Sequence, residues 1–179
     1  MKTDMKKILI PVLSLLMAAF AVSCTPEEQD YSDMKAVLGI EVADMQNLYE
    51  VNKRQQKTVN LKVSAEEISG VTLTVTVGVK PELVAAYNEA NGTNYEMLPS
   101  EAYNFMEREL LLPRFNKVSS LGQLNLVGMG CDPEKTYVLP VGIEKVEGSE
   151  NYEAPDSNAV FFVFKMLPAL KGIGTKDDP

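Results

Sequence analysis

The sequence contains no histidine and no tryptophan, and it has only two cysteines. Histidine is the usual base that activates a cysteine nucleophile, and it is a common ligand of catalytic zinc. Cys131 therefore lacks the partner that a catalytic thiolate needs, and its place before Asp132-Pro133 is typical of a small residue near a turn. No metal site is predicted. The missing tryptophan leaves only tyrosine and phenylalanine to stack on sugar rings.

A hydrophobic run long enough to cross a membrane is also missing. Lys2, Lys6 and Lys7 precede an apolar run over residues 8–22. Its roughly 15 residues fall short of the about 20 that a membrane-spanning helix needs. A basic start, a short apolar run and small residues before a cleavage point are typical of a secretory signal. We therefore predict a signal peptide over residues 1–23 and no permanent anchor helix.

Cys24 follows the small residue Ser23 directly after this run. The arrangement resembles the lipobox of bacterial lipoproteins, in which the signal is cut before a cysteine that then carries acyl chains. The resemblance implies that Cys24 is the lipid-attachment site, which would leave Cys131 without a disulfide partner. Ala21 stands where the lipobox usually has leucine, and Ala21-Val22-Ser23 also suits an ordinary signal peptidase that would release a soluble protein.

Residues 24–35 read as an acidic tether. Their acidic run resembles the surface-export signal of Bacteroidetes lipoproteins, which implies a lipid-anchored, surface-exposed position on the outer membrane. The whole chain has 17 basic and 25 acidic residues, a net charge of −8. Without residues 1–23 the balance is 14 to 24, or −10. A negative net charge of this size repels phosphate backbones, so nucleic acid is excluded as a partner.

Period-two alternation dominates residues 36–168 and predicts β-strands. In residues 71–79, aliphatic side chains alternate with threonines, as expected of a strand with one face on a core and one face to water. Seven or eight short strands predict an all-β fold, a β-sandwich. They are expected over residues 37–42, 48–51, 58–63, 71–79, 104–111, 121–127, 137–145 and 159–166. Residues 169–179 read as a polar C-terminal tail.

One short helix interrupts the strands. Pro81 suits the first helical position, and Gly92 after Asn91 suits a left-handed helix end. Leu83, Val84, Tyr87 and Ala90 form an apolar stripe. A helix this short must lie on an apolar surface, and we expect it to cover an open end or edge of the sandwich.

The chain resembles a Bacteroidetes domain of unknown function. The resemblance covers roughly residues 36–166, and its motifs are Tyr87-Asn88, Asn91-Gly92-Thr93, Tyr95, Leu98-Pro99, Tyr103 and Tyr137-Val138-Leu139-Pro140-Val141-Gly142-Ile143. That family forms the N-terminal domain of surface lipoproteins in polysaccharide-utilisation loci, some of them related to family-18 glycosidases. The resemblance implies an immunoglobulin-like β-sandwich on the outer membrane with an accessory role in glycan capture. Family members usually continue into a further module.

The residues favour binding over catalysis. No pair of carboxylates stands apart from turns and exposed strand faces, and glycoside hydrolysis requires such a pair across a cleft. Tyr87, Tyr95, Tyr103 and Tyr137 lie inside the recurring motifs and are expected to anchor the fold. Three aromatic residues in more polar surroundings are the predicted ligand-binding residues: Tyr49, Phe115 and Tyr152.

Two functional hypotheses follow. The first is a non-catalytic surface lipoprotein of a glycan-acquisition system, which binds glycan weakly or positions a partner such as an outer-membrane transporter or a glycosidase. It requires no cofactor. The alternative is a structural or assembly lipoprotein, for example a fimbrial or adhesin accessory subunit that depends on strand exchange.

Overall fold

The computed structural model describes residues 35–52 and 55–168. The predicted signal peptide, Cys24, nearly all of the tether and the polar tail lie outside these residues. Eleven strands occur in the described part: β1 (Ala36–Val42), β2 (Tyr49–Asn52), β3 (Gln56–Ala65), β4 (Leu73–Val79), β5 (Glu96–Met97), β6 (Tyr103–Glu107), β7 (Glu109–Leu112), β8 (Gly122–Val127), β9 (Thr136–Glu147), β10 (Tyr152–Glu153) and β11 (Val160–Leu167).

The strands form two sheets. The first has the order β10-β1-β3-β8-β6, and the second has the order β2-β11-β9-β4-β7, with β5 paired to the start of β9. Most neighbours are antiparallel, whereas β1 and β10, β2 and β11, and β5 and β9 are parallel pairs. The predicted all-β sandwich is confirmed.

Alternation along the strands builds the core between the sheets. In β4, Leu73, Val75 and Val77 are almost fully buried, while the intervening threonines are only half-buried. In β11, Phe162 and Phe164 are buried, as expected from their spacing. Because successive side chains of a strand point to opposite faces, each sheet places one apolar row inward and leaves a second face outside.

The prediction of a single strand over residues 104–111 is wrong. The chain forms β6 in the first sheet and then β7 in the second, and it changes sheets at Arg108. The carbonyl of Arg108 accepts a hydrogen bond from the amide of Val77 at 3.0 Å. The apolar positions shift from Tyr103 and Phe105 in β6 to Leu110 and Leu112 in β7, a change from odd to even numbering that the single-strand prediction did not use. The strand number is correspondingly larger than seven or eight.

The connection from β7 to β8 returns the chain to the first sheet. It runs alongside the end of β3, where Ala65 donates to the carbonyl of Lys117 at 2.8 Å and Ser119 donates to that of Val63 at 2.9 Å. Phe115 adopts a positive φ of 63° within this connection.

The only α-helix among the described residues, α1 (Leu83–Asn91), connects β4 to β5. It begins two residues after Pro81, with Glu82 as its N-cap, and it ends at Gly92, which has a φ of 63°. None of its residues is fully buried. The helix lies on the outer face of the second sheet, and not over an end of the sandwich. The outer row of β11 provides the apolar surface that a short helix requires.

Two single turns of 3-10 helix complete the fold, at Ser100–Ala102 and Asp156–Asn158. The second of them, which we call the 156–158 turn, immediately precedes β11. It lies near α1 on one side and near β1 on the other.

Candidate functional site

Asn88 joins α1 to the segment that follows it. Its side-chain amide donates to the carbonyl of Tyr95 at 2.9 Å. Its side-chain oxygen accepts hydrogen bonds from the amide of Tyr95 at 2.9 Å and from the hydroxyl of Thr93 at 2.8 Å. The backbone carbonyl of Asn88 also accepts from the amides of Gly92 and Thr93. The spacing of Asn88, Thr93 and Tyr95 in the sequence therefore reflects one closed hydrogen-bond network around the end of α1.

Tyr87 is held against the outer face of the second sheet. Its ring stacks on that of Phe161, with 4.8 Å between the centroids and 29° between the planes. The ring of Tyr95 lies 6.4 Å from that of Tyr87. Burial, together with the neighbouring Tyr95, raises the pKa of the Tyr87 phenol. This phenol is therefore neutral at physiological pH and presents a hydrogen-bonding group at the end of an apolar ring.

A groove of about 410 Å³ runs between α1 and the 156–158 turn, and we call it the helix groove. Its surface is mainly apolar, with a few polar groups at the rim. It is lined by Leu83, Ala86, Tyr87, Ala90, Asn91, Asp156, Ser157 and Phe161. Small-molecule sites commonly combine such an apolar lining with a small number of polar groups.

Lys80 fixes one wall of the helix groove. Its ammonium group lies 3.5 Å from a carboxylate oxygen of Asp156. The aliphatic part of the side chain crosses β9 at Gly142, where an added Cβ would come within 2.8 Å of Lys80 Cγ. The glycine thus permits Lys80 to reach the 156–158 turn.

The structure places the three predicted ligand-binding residues on separate elements. Tyr49 lies in β2, and only 1% of it is exposed. Its ring meets Phe162 edge-on at 5.6 Å, and its hydroxyl accepts from the amide of Gln46. The expectation of a polar, accessible position for Tyr49 is wrong, because the ring fills the core and only its polar end reaches a small cleft near Asp44.

Phe115 and Tyr152 are more accessible. Phe115 is 48% exposed, and the guanidinium of Arg114 lies 4.4 Å from the centroid of its ring. Tyr152 is half-buried in β10, where it packs against the core. Neither residue lines the helix groove. Their predicted role in ligand binding stays a prediction.

The tyrosines of the recurring motifs have different environments. Tyr137 is 4% exposed, and its hydroxyl accepts from the amide of Asp132 at 2.9 Å. Tyr103 packs partly against the core and meets Phe105 edge-on. Both are anchoring residues, as predicted. Tyr87 also anchors its helix, but it lines the helix groove as well.

The sequence reasoning missed Phe161, Asp156 and Ser157 as groove residues. A signal for Phe161 was present, since period two places it on the face opposite to Phe162 and Phe164. No local pattern marks Asp156 or Ser157, because their place beside α1 arises from contacts between distant parts of the chain.

The one cysteine of the described region is protonated at neutral pH. Burial and the nearby carboxylate of Glu101 raise the pKa of the Cys131 thiol to about 11, so the thiol is protonated at neutral pH. Among residues 35–52 and 55–168, no group of three or more acidic or cysteine side chains is arranged to hold a metal ion. No helix of this part of the chain is long and apolar enough to span a membrane.

These features define a β-sandwich domain with a helix and an aromatic-lined groove on one outer face. The chain belongs to a family of N-terminal domains, whose family model matches residues 35–150. The predicted relationship to a Bacteroidetes N-terminal domain is confirmed. No curated protein matches the chain.

The solved structures that share the fold include three from Bacteroides species. A candidate carbohydrate-binding protein from Bacteroides ovatus ATCC 8483 is 20% identical, with a TM-score of 0.59, and the match covers 73% of this chain and 37% of that protein. A two-domain protein of unknown function from Bacteroides fragilis NCTC 9343 is 16% identical, with a TM-score of 0.56 and coverages of 74% and 46%. EndoBT-3987 from Bacteroides thetaiotamicron, solved with a Man5GlcNAc product, is 17% identical, with a TM-score of 0.53 and coverages of 66% and 28%.

The matched region therefore spans less than half of each of these proteins. Their identities to this chain are low, so the likeness concerns the fold.

Proposed function

We propose that this protein is a non-catalytic component of a glycan-acquisition system, anchored through Cys24 to the outer membrane at the cell surface, and that it binds glycan in the helix groove. The observation that carries the proposal is the groove itself. Tyr87 and Phe161 provide aromatic surface, and Asp156, Ser157 and Asn91 provide polar groups at its rim.

The chemistry of sugars suits such a groove. The C–H faces of a pyranose ring pack on aromatic and aliphatic surface, while the hydroxyl groups require polar partners. A carboxylate, a hydroxyl and a carboxamide at the rim supply both acceptors and donors. The family and its structural neighbours support the proposal, since one neighbour is a candidate carbohydrate-binding protein and another was solved with an oligosaccharide product.

Affinity electrophoresis through gels that contain neutral polysaccharides tests the proposal. The blocking variant is Ala86→Glu, which adds a bulky side chain at an exposed position that lines the groove. The matched control is Ala85→Glu, at the neighbouring exposed position of α1 that does not line it. Both substitutions add the same charge to the same helix, and neither removes a core contact.

We expect at least one polysaccharide to retard the wild type and Ala85→Glu, and Ala86→Glu to migrate as it does in a gel without glycan. Phe115→Ala tests the other exposed aromatic site. Loss of retardation in Phe115→Ala, with Ala86→Glu unaffected, would move the site to the β7–β8 connection. No retardation by any glycan, together with concentration-dependent oligomers in solution, would favour the assembly hypothesis instead.

A further inference from the structure

A second groove lies on the other side of the 156–158 turn. It has a volume of about 340 Å³ and is lined by Val37, Gly39, Ile40, Ser64, Glu66, Ser157, Asn158, Ala159 and Val160. We call it the strand groove, because its floor is the outer face of β1 and β3. Ser157 lines both the strand groove and the helix groove.

The 156–158 turn forms a ridge between the two grooves, and contacts on both sides hold it in place. On the helix side, Asp156 pairs with Lys80 at 3.5 Å. On the strand side, the side-chain amide of Asn158 donates to the carbonyl of Leu38 at 3.0 Å. The backbone of the turn is closed by a hydrogen bond from Ala159 to the carbonyl of Asp156. The grooves are therefore adjoining parts of one preformed surface, separated by a single turn.

Gly39 keeps the strand groove open. A Cβ added at this position would lie 3.5 Å from the side chain of Asn158, which is an ordinary van der Waals distance. A larger residue would therefore fit sterically, and it would fill part of the groove. The backbone conformation at Gly39 does not require glycine. The main consequence of glycine at this position is therefore that the floor of the groove stays open.

The charges around the grooves select against anionic ligands. Among the described residues, no lysine or arginine lines either groove, whereas Glu66 lines one and Asp156 lines the other. The nearby Lys80 and Lys62 are each paired with a carboxylate. A uronic acid or a sulfated sugar would meet the carboxylate of Glu66 in the strand groove, whereas the carboxylate of Asp156 is paired with Lys80.

We infer that the two grooves together bind one neutral, linear oligosaccharide that crosses the ridge at Ser157. This inference rests on the proposed function of the helix groove and adds the chemical class of the ligand. Each groove is near the lower end of the volume range of small-molecule sites, so a short saccharide occupies one groove and a longer chain occupies both. A chain that reaches the second groove gains contacts without a second loss of translational freedom.

The test measures affinity against chain length by isothermal titration calorimetry. The probes are manno-, gluco- and xylo-oligosaccharides of one to six units, with oligogalacturonates of the same lengths as the anionic set. The variants are Gly39→Val, which fills the strand groove, and Thr76→Val, which places the same side chain on the outer face of β4 outside both grooves and changes no charge. Thermal unfolding of both variants checks that they retain the fold.

We expect the affinity of the wild type to rise about tenfold or more between the disaccharide and the hexasaccharide of one neutral series. Gly39→Val loses this gain and keeps the disaccharide affinity, whereas Thr76→Val behaves as the wild type. Oligogalacturonates bind at least tenfold more weakly at low salt.

Two results separate the inference from the proposal on which it rests. Equal affinities for short and long chains, unchanged by Gly39→Val but abolished by Ala86→Glu, would overturn the two-groove site and leave the helix groove as a glycan site. Preferred binding of oligogalacturonates would overturn the neutral class. Absence of binding by every saccharide would overturn both the inference and the proposed function.

Discussion

The hydrogen-bond network of Asn88 gives a sharp test of how the helix groove is held in place. Replacing Asn88 with alanine removes three side-chain hydrogen bonds, two with Tyr95 and one with Thr93, at 2.8–2.9 Å. All three are partly buried. The change leaves the Tyr87 ring in place but releases the segment that returns the chain to β5.

The expected cost follows from the number of bonds. A typical intramolecular hydrogen bond contributes about 0.5–1.5 kcal/mol net, so three bonds contribute roughly 2–4 kcal/mol. The matched control is Asn91→Ala, which removes one exposed hydrogen bond to the carbonyl of Tyr87. Both variants gain the same helix propensity from alanine, so their difference isolates the network. We expect Asn88→Ala to be less stable than Asn91→Ala by about 1–3 kcal/mol.

Urea unfolding measures the global free energy, and amide hydrogen exchange measures the local one. If the helix end opens without global unfolding, Asn88→Ala lowers the free energy of local opening and not the global one. The amide of Tyr95 should then exchange about tenfold faster or more. Equal stability of the two variants, with unchanged exchange at Tyr95, would refute the reasoning. Asn88→Asp is expected to fall between wild type and Asn88→Ala, because it keeps both acceptor bonds and loses the donor.

Three further predictions concern other parts of the molecule. Burial raises the pKa of the Cys131 thiol to about 11 in the folded protein, from an ordinary value of 9.0. The contribution of this thiol to stability is therefore complete below pH 9 and is lost as the pH rises toward 11, and Cys131→Ser should weaken that alkaline loss in urea titrations. Gly148→Ala should destabilise by at least about 2 kcal/mol, because φ is 107° and the new Cβ would lie 2.4 Å from the carbonyl oxygen of Thr72; Gly39→Ala, which meets only ordinary contacts, should stay within about 1 kcal/mol of wild type. Mass spectrometry of the membrane fraction should find an acylated amino terminus at Cys24, and an unmodified terminus would contradict the anchor. Protease added to intact cells should cut the protein, and resistance would contradict its exposure at the cell surface.

Local patterns predicted much of the fold. The alternation of aliphatic residues and threonines in β4, and of phenylalanines in β11, reflects burial of one face at a time, and that is a property of neighbouring residues. Gly92 marked the end of α1 because a left-handed residue is needed there. The recurring motif around Asn88 could be recognised in the sequence, because the hydrogen bonds that explain it join residues only five to seven positions apart.

Tertiary contacts decided what the local patterns left open. One strand was expected over residues 104–111, whereas β6 pairs with β8 in the first sheet and β7 pairs with β4 in the second. Tyr49 has polar neighbours in sequence but apolar neighbours in space, and its ring belongs to the core.

By itself, the sequence determined the all-β character of the described domain, the short helix α1 and the inward face of strands such as β4 and β11, because these depend on residues a few positions apart. The tertiary structure alone decided where a ligand could bind. The helix groove brings α1 beside Asp156 and Phe161, about 70 residues further along the chain. These two segments meet only after the strands have paired. Strand register sets the position of each segment, and the residues next to it in sequence do not.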